Sequence, residues 1–145
     1  MRINHLAVAA SALAYWVLGA LWYAAFENPF VALMRWRPED VARLQAEGAA
    51  PQIGVALVGS FVAAYALAYL VRLTGAEDAR RGARVGFLAW LGFVVTTNLN
   101  TVLFEFRPPG LYLINVGYHL VALVGMGALL AVWRRREARA PAYQS

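Results

Sequence analysis

The sequence predicts an all-α, polytopic membrane protein with four transmembrane helices and a short amphipathic helix in the first external loop. Three features support this prediction: the composition, four long apolar runs, and arginines placed at the ends of those runs. Hydrophobic residues make up 61% of the chain and charged residues only 14%, whereas soluble domains carry roughly one quarter charged residues. The mean hydropathy is +0.54. The length accommodates one transmembrane domain, residues 1–145.

The first apolar run covers residues 3–26. It is longer than the core of a signal peptide, and bulky residues, Leu21, Trp22 and Tyr23, occupy the place of a cleavage site. We therefore expect an uncleaved span. Trp22 and Tyr23 at its outer end are typical of the aromatic belt at the level of the lipid headgroups.

A polar connection, residues 28–52, follows the first span. Within it, Arg37-Pro38-Glu39-Asp40 is typical of a helix start, because proline suits the first turn and acidic residues favour the positive end of the helix dipole. Gly48 is expected to end this helix. A short amphipathic helix on the membrane surface would serve either as a cap over the bundle or simply as a connector.

Three further spans are expected over residues 53–73, 85–104 and 111–133, each near the ~20 residues that cross ~30 Å of hydrocarbon. The five residues 106–110 allow only a tight reversal, so the third and fourth spans should be antiparallel neighbours. Gly82-xxx-Gly86 and Gly125-Met126-Gly127 indicate close helix contacts. Residues 134–145 form a basic tail that is expected to be disordered.

Arginine placement predicts the orientation. Nine arginines lie at the termini and in the second loop, and four lie in the first and third loops. Arginine excess marks the cytoplasmic side, so both termini are expected in the cytoplasm. This distribution accounts for the net charge of +5 without a nucleic-acid partner; the expected partner is the lipid bilayer. Because the chain has no cysteine, disulfides and thiolate chemistry are excluded.

Polar side chains concentrate on the third and fourth spans. Helical spacing places Asn98, Thr101 and Glu105 on one face of the third span. The same rule groups Asn115, Tyr118 and His119 on the fourth. We expect these two faces to meet in a polar pocket, with Arg107 at its mouth and the first span's Trp22 and Tyr23 closing it. Polar residues within spans usually face the bundle interior or a wet cavity.

The same polar residues have a second interpretation as interhelical hydrogen bonds that only hold the bundle together. A metal site is not expected. The two histidines, His5 and His119, lie at different depths, because each helical residue advances ~1.5 Å along the axis. No cofactor motif is present, and no cofactor is expected.

Four segments carry a family resemblance. They are Gly19-Ala20-Leu21-Trp22-Tyr23, Trp90-Leu91-Gly92-Phe93, Leu103-Phe104-Glu105-Phe106-Arg107-Pro108 and Asn115-Val116-Gly117-Tyr118-His119. Together they resemble a family of small bacterial four-span integral membrane proteins of unknown function. The resemblance implies a four-helix protein of the bacterial inner membrane and implies no activity. As site members it carries over Trp22, Tyr23, Asn98, Glu105, Arg107, Asn115 and Tyr118.

Three functional hypotheses remain open. The first is a binding or transport module for a small polar solute or a lipid headgroup, with self-association into a homo-oligomer to enlarge the small bundle. The second is a membrane enzyme in which His119 acts as general base and Glu105 or Arg107 orients the substrate. The third is an accessory or structural subunit whose intramembrane polar residues contact a partner protein.

Overall fold

The structure, a computed structural model, describes residues 3–139, with side chains through residue 134, and this part of the chain is built from helices. The helices are α1 His5–Ala25, α2 Glu27–Met34, α3 Pro38–Glu47, α4 Ala50–Leu73, α5 Ala79–Ala89, α6 Thr96–Leu103 and α7 Pro109–Arg139, with a π-helical segment Trp90–Val95 between α5 and α6. Four helical stretches are long and apolar enough to cross a membrane: α1, α4, the continuous Ala79–Leu103, and α7 from Pro109 to Arg134. The all-α, four-span prediction is confirmed.

The connection between the first two spans contains two short helices rather than one. The expected helix is α3, which begins at Pro38, where the Asp40 carboxylate accepts a hydrogen bond from the Arg37 N–H at 3.2 Å, and ends at Gly48 with φ of 71°. The additional helix is α2. The chain bends at Phe26 and becomes helical again at Glu27, until the left-handed Arg35 (φ 48°) ends it.

Three of the expected boundaries need correction. The second span begins at Ala50 rather than at residue 53. The third begins at Ala79 rather than at residue 85, because the Asp78 side chain caps it by accepting the Arg81 N–H at 2.9 Å. The fourth span continues as a helix to Arg139, so the start of the expected disordered tail is helical. Arg2 and residues 140–145 lie outside the described residues.

The fourth span, α7, is the central helix, and it runs antiparallel to α1 and to the third span. Hydrogen bonds and close contacts link Trp22 with Ile114, Tyr15 with His119, and Trp90 with Val116. We call the end of the bundle that carries His5 the terminal side and the end that carries α2 and α3 the loop side. The buried core lies toward the terminal side, where α1, α4 and α7 pack closely: Ala7, Val8, Ala12, Ala64, Leu67, Ala68, Val71, Leu123, Met126, Leu130 and Ala131.

Glycine brings α5 against α7 with backbones in contact. A Cβ added at Gly82 would lie 2.1 Å from the carbonyl oxygen of Gly127, and one at Gly86 would lie 2.0 Å from that of Leu123. A Cβ at Gly125, in contrast, would meet nothing within 4 Å. The predicted Gly82-xxx-Gly86 contact is therefore confirmed, and its partner in the fourth span is Gly127.

Candidate functional site

The polar side chains of the third span bond to the carbonyls of the π-helical segment. Four successive carbonyl oxygens each accept one side-chain donor: Gly92 from Thr96, Phe93 from Thr97, Val94 from Asn98 and Val95 from Tyr112. A π-helical turn disturbs the regular bonding between residues i and i+4. In hydrocarbon, neighbouring hydroxyl and amide side chains can donate to the carbonyls of such an irregular turn, as they do here.

This bonding gives two residues of the expected pocket, Asn98 and Thr101, partners within the third span. The Asn98 amide donates to Val94 O at 2.9 Å, and the Thr101 hydroxyl donates to Asn98 O at 2.7 Å, so both face their own backbone. Glu105 lies beyond the end of α6 at Leu103, in the turn, where the helical face no longer applies. It pairs with Arg107 at 3.6 Å, and both side chains are about half exposed. An ion pair this exposed contributes little to the stability of the fold.

The polar face of α7 meets α1 instead. The Tyr23 hydroxyl donates to the Asn115 side-chain oxygen at 2.8 Å. The Trp22 indole N–H donates to the Ile114 carbonyl at 3.1 Å. The structure therefore brings Tyr23 to Asn115 and Trp22 to the neighbouring Ile114.

Deeper in the bundle, two tyrosines and a histidine join α1 to α7. The Tyr118 hydroxyl donates to the Tyr15 carbonyl at 3.0 Å. The Tyr15 hydroxyl is hydrogen bonded to His119 Nδ1 at 2.7 Å. Gly19 makes room for this arrangement, since a Cβ there would lie 2.9 Å from the Tyr118 hydroxyl.

Tyr15 is the site residue that the sequence analysis missed. Its signal was present: Tyr15, Trp22 and Tyr23 are seven and eight positions apart, so they share one face of α1. On this face the sequence prediction includes only Trp22 and Tyr23, as part of an aromatic belt and as the closing side of the polar pocket. Two residues of α4, Gln52 and Ser60, were also missed, because the second span carries few polar groups and nothing in its sequence marks which side faces α1.

A cleft of about 790 Å³ lies between α1, α4 and α7. Its floor contains Tyr15, Ser60 and His119, and each of them is ten residues from the loop-side end of its helix. At ~1.5 Å per residue this depth is ~15 Å, half of the ~30 Å hydrocarbon thickness. Below the floor the buried core closes the space, and above it the loop-side half of α4 is largely exposed.

The walls of the cleft are mostly apolar. They include Trp16 and Ala20 from α1 and Ile53, Ala56 and Gly59 from α4. Three of the predicted site residues line it directly: Tyr23, Tyr118 and His119. Asn115 contributes through its bond to Tyr23, and the Trp22 ring lies where a Cβ at Gly117 would come within 3.3 Å.

A second cavity, of about 630 Å³, lies on the loop side beside α3. We call it the arginine cavity, because Arg35, Arg37, Arg43 and Arg107 line it together with two carboxylates, Asp40 and Glu47. Gln52 lines both the arginine cavity and the cleft. Arg107, predicted at the mouth of a pocket, therefore belongs to this second cavity.

Within residues 3–134, no group of three or more histidine, aspartate or glutamate side chains is close enough to hold a metal ion. His5 and His119 are well separated, since each bonds through Nδ1 to a tyrosine on another helix. His5 bonds to Tyr65 at 2.8 Å and His119 to Tyr15 at 2.7 Å.

Comparison with known proteins gives one match. A family model described as "Protein of unknown function (DUF1761)" matches residues 6–131, a range that includes the cleft-lining residues of all three helices. No curated protein and no solved structure matches the chain.

Proposed function

The chain belongs to this family of unknown function, and we propose that it is a multi-pass membrane protein that binds a small amphiphilic molecule in the cleft between α1, α4 and α7. The ligand places a hydrogen-bonding group at the floor and an apolar body along the walls. The volume of about 790 Å³ is within the range of small-molecule sites, roughly 300–1,000 Å³.

The observation that supports this proposal most strongly is the position of His119. Its ring is half-buried at the floor, and its Nδ1 is occupied by Tyr15 at 2.7 Å. Within the described residues, Nε2 has no hydrogen-bond partner. When the tyrosine hydroxyl donates, the imidazole carries its proton on Nε2 and can donate it to a ligand. A polar group left unpaired at this depth is costly in hydrocarbon, so a ligand oxygen there would stabilise the site.

The closed terminal side favours binding over passage through a single subunit. Ala12, Ala64 and Leu123 are buried below the floor, so a bound molecule meets packed side chains and no continuous path. The enzymatic alternative lacks its partner group: neither Glu105 nor Arg107 lines the cleft. His119 therefore acts here as a hydrogen-bonding residue.

We also propose the bacterial inner membrane as the location, with both termini in the cytoplasm, on the basis of the arginine count. In this orientation the cleft opens in the outer half of the bilayer, and the arginine cavity faces the outside.

A matched pair of glycine variants tests the cleft. Gly54 and Gly59 both lie on α4, and an added Cβ meets nothing within 4 Å at either position, but only Gly59 lines the cleft. The probe is the methyl ester of dodecanoic acid with a hydroxyl at the end of its chain, and native mass spectrometry of the purified full-length protein measures the bound fraction. Gly59→Leu should abolish binding, and Gly54→Leu should retain it. Equal binding by the two variants contradicts the proposal.

A second comparison tests the floor. One neutral hydrogen bond is worth about 0.5–1.5 kcal/mol, so the hydroxylated ester should bind about two- to twelvefold more tightly than methyl dodecanoate. His119→Leu should remove this preference. If the wild-type protein does not distinguish the two esters, the floor does not recognise a polar group.

A further inference from the structure

Four arginines and two carboxylates line the arginine cavity. Three of the arginines already have acidic partners: Arg37 pairs with Glu39 at 3.0 Å, Arg43 with Glu47 at 2.9 Å, and Arg107 with Glu105 at 3.6 Å. These side chains are 46–76% exposed, so each pair contributes little to stability and can open to admit an anion.

Arg35 differs from the other three arginines. It forms no ion pair within the described residues, and its backbone is left-handed, with φ of 48° and ψ of 47°. Such a conformation is uncommon for a residue other than glycine, and residues held in it cluster at ligand sites. Here it ends α2 and places a guanidinium without an acidic partner on the wall of the cavity.

The arginine cavity and the cleft are neighbours, because Gln52 lines both. Gln52 precedes Ser60 on the same helix by eight residues. At ~1.5 Å per residue, the arginine cavity is therefore ~12 Å from the floor of the cleft along α4. A single extended molecule can occupy both spaces, with one end among the arginines and a polar group near His119.

We propose that the ligand of the cleft is an anionic amphiphile whose carboxylate or phosphate head binds in the arginine cavity while its chain descends along α4. This inference rests on the proposed function and adds the charge of the head group. Arginine is well suited to this role, because its planar guanidinium bonds carboxylate and phosphate oxygens in pairs. Arg35, which follows α2, and Arg107, which precedes α7, both line the cavity and supply the contacts to the head group.

The test uses four probes: dodecanoic acid and its form hydroxylated at the end of the chain, each as the free acid and as the methyl ester. The ester and the acid differ in charge, whereas the hydroxyl reports on the floor. The acids should bind the full-length wild-type chain about tenfold more tightly than their esters, which corresponds to one charge-assisted interaction. In Arg35→Gln/Arg107→Gln this charge preference should fall to about onefold, because the acids lose affinity more than the esters do.

The matched control is Arg80→Gln/Arg81→Gln, which removes the same charge on the terminal side, where both arginines are exposed. It should keep the preference for the acids. If it loses the preference as fully as the Arg35 and Arg107 variant does, the effect is general attraction to a basic protein, and the inference is overturned. The single variants Arg35→Gln and Arg107→Gln decide the matter if the double variant does not fold.

The two proposals fail separately. If the wild-type protein prefers the hydroxylated probes but binds acids and esters equally, only the proposal of an anionic head group is overturned. If Gly59→Leu does not weaken binding of the acids, the hydrocarbon chain of the ligand does not bind in the cleft. Acetate has the carboxylate head group but no hydrocarbon chain, and it should not displace the acids at millimolar concentration. Displacement by acetate would mean that the arginine cavity binds free anions and overturns the amphiphile.

Discussion

Tyr15 and His119 are 104 positions apart in the sequence, and 2.7 Å separates the Tyr15 hydroxyl oxygen from His119 Nδ1. This contact joins the first span to the last at the floor of the cleft. It also leaves the second imidazole nitrogen available to a ligand. The same two residues therefore contribute both to the packing of α1 on α7 and to the proposed recognition of a polar group.

Removal of the Tyr15 hydroxyl should destabilise the bundle modestly. Interhelical hydrogen bonds in membranes average about 0.6 kcal/mol, with a maximum of about 1.7, and Tyr15→Phe should lose an amount in this range. The measurement is the free energy of unfolding in mixed micelles. Tyr65→Phe is the control, because it removes the exposed bond to His5 and should cost less. A larger loss for Tyr65→Phe would contradict the importance of the inner contact.

The close contact of α5 with α7 predicts a difference between two neighbouring glycines. A Cβ at Gly127 would lie 2.2 Å from the Gly82 carbonyl oxygen, whereas at Gly125 nothing lies within 4 Å. Gly127→Ala should destabilise the protein by about 1–3 kcal/mol or more, as overpacking does. Gly125→Ala should be neutral or slightly stabilising, since alanine favours the helix. Thermal unfolding of both variants checks this, and similar midpoints would refute the contact.

The polar residues of the third span should be dispensable for binding. Asn98 and Thr101 bond to their own helix, to Val94 and Asn98 respectively. We expect Asn98→Leu to lower stability, because it leaves the Val94 carbonyl without its side-chain donor in hydrocarbon. The affinity for the hydroxylated ester should stay within about twofold of wild type, a change of about 0.4 kcal/mol. A large loss of affinity in a folded Asn98→Leu protein would return the third span to the site.

Single cysteines can test the orientation, because the natural chain has none. Ala46 on α3 and Ala79 at the start of α5 are both exposed alanines on opposite sides of the bundle. In spheroplasts, a membrane-impermeant maleimide should label Ala46→Cys and leave Ala79→Cys unlabelled until the membrane is opened. The reverse pattern would place the termini outside and the arginine cavity in the cytoplasm.

Several elements of the fold could be predicted from local sequence. Arg37-Pro38-Glu39-Asp40 and Gly48 bounded α3 correctly, because capping depends on residues within one turn. The helix contact at Gly82 and Gly86 was also predictable, since only small residues permit such an approach. The missed start of the third span at Ala79 is instructive, because its first turns are basic and hydropathy alone does not detect them.

Four apolar helices, and the polar residues that share a face on each, could be predicted from the chain alone, because hydrophobic length and helical period are local properties. Which helix each face contacts became known from the folded arrangement. A short turn makes the third and fourth spans neighbours, yet Asn98 bonds to its own backbone at Val94, and His119 on α7 faces Tyr15 on α1. Helix rotation depends on the packing of all four spans together, and no local pattern contains that information.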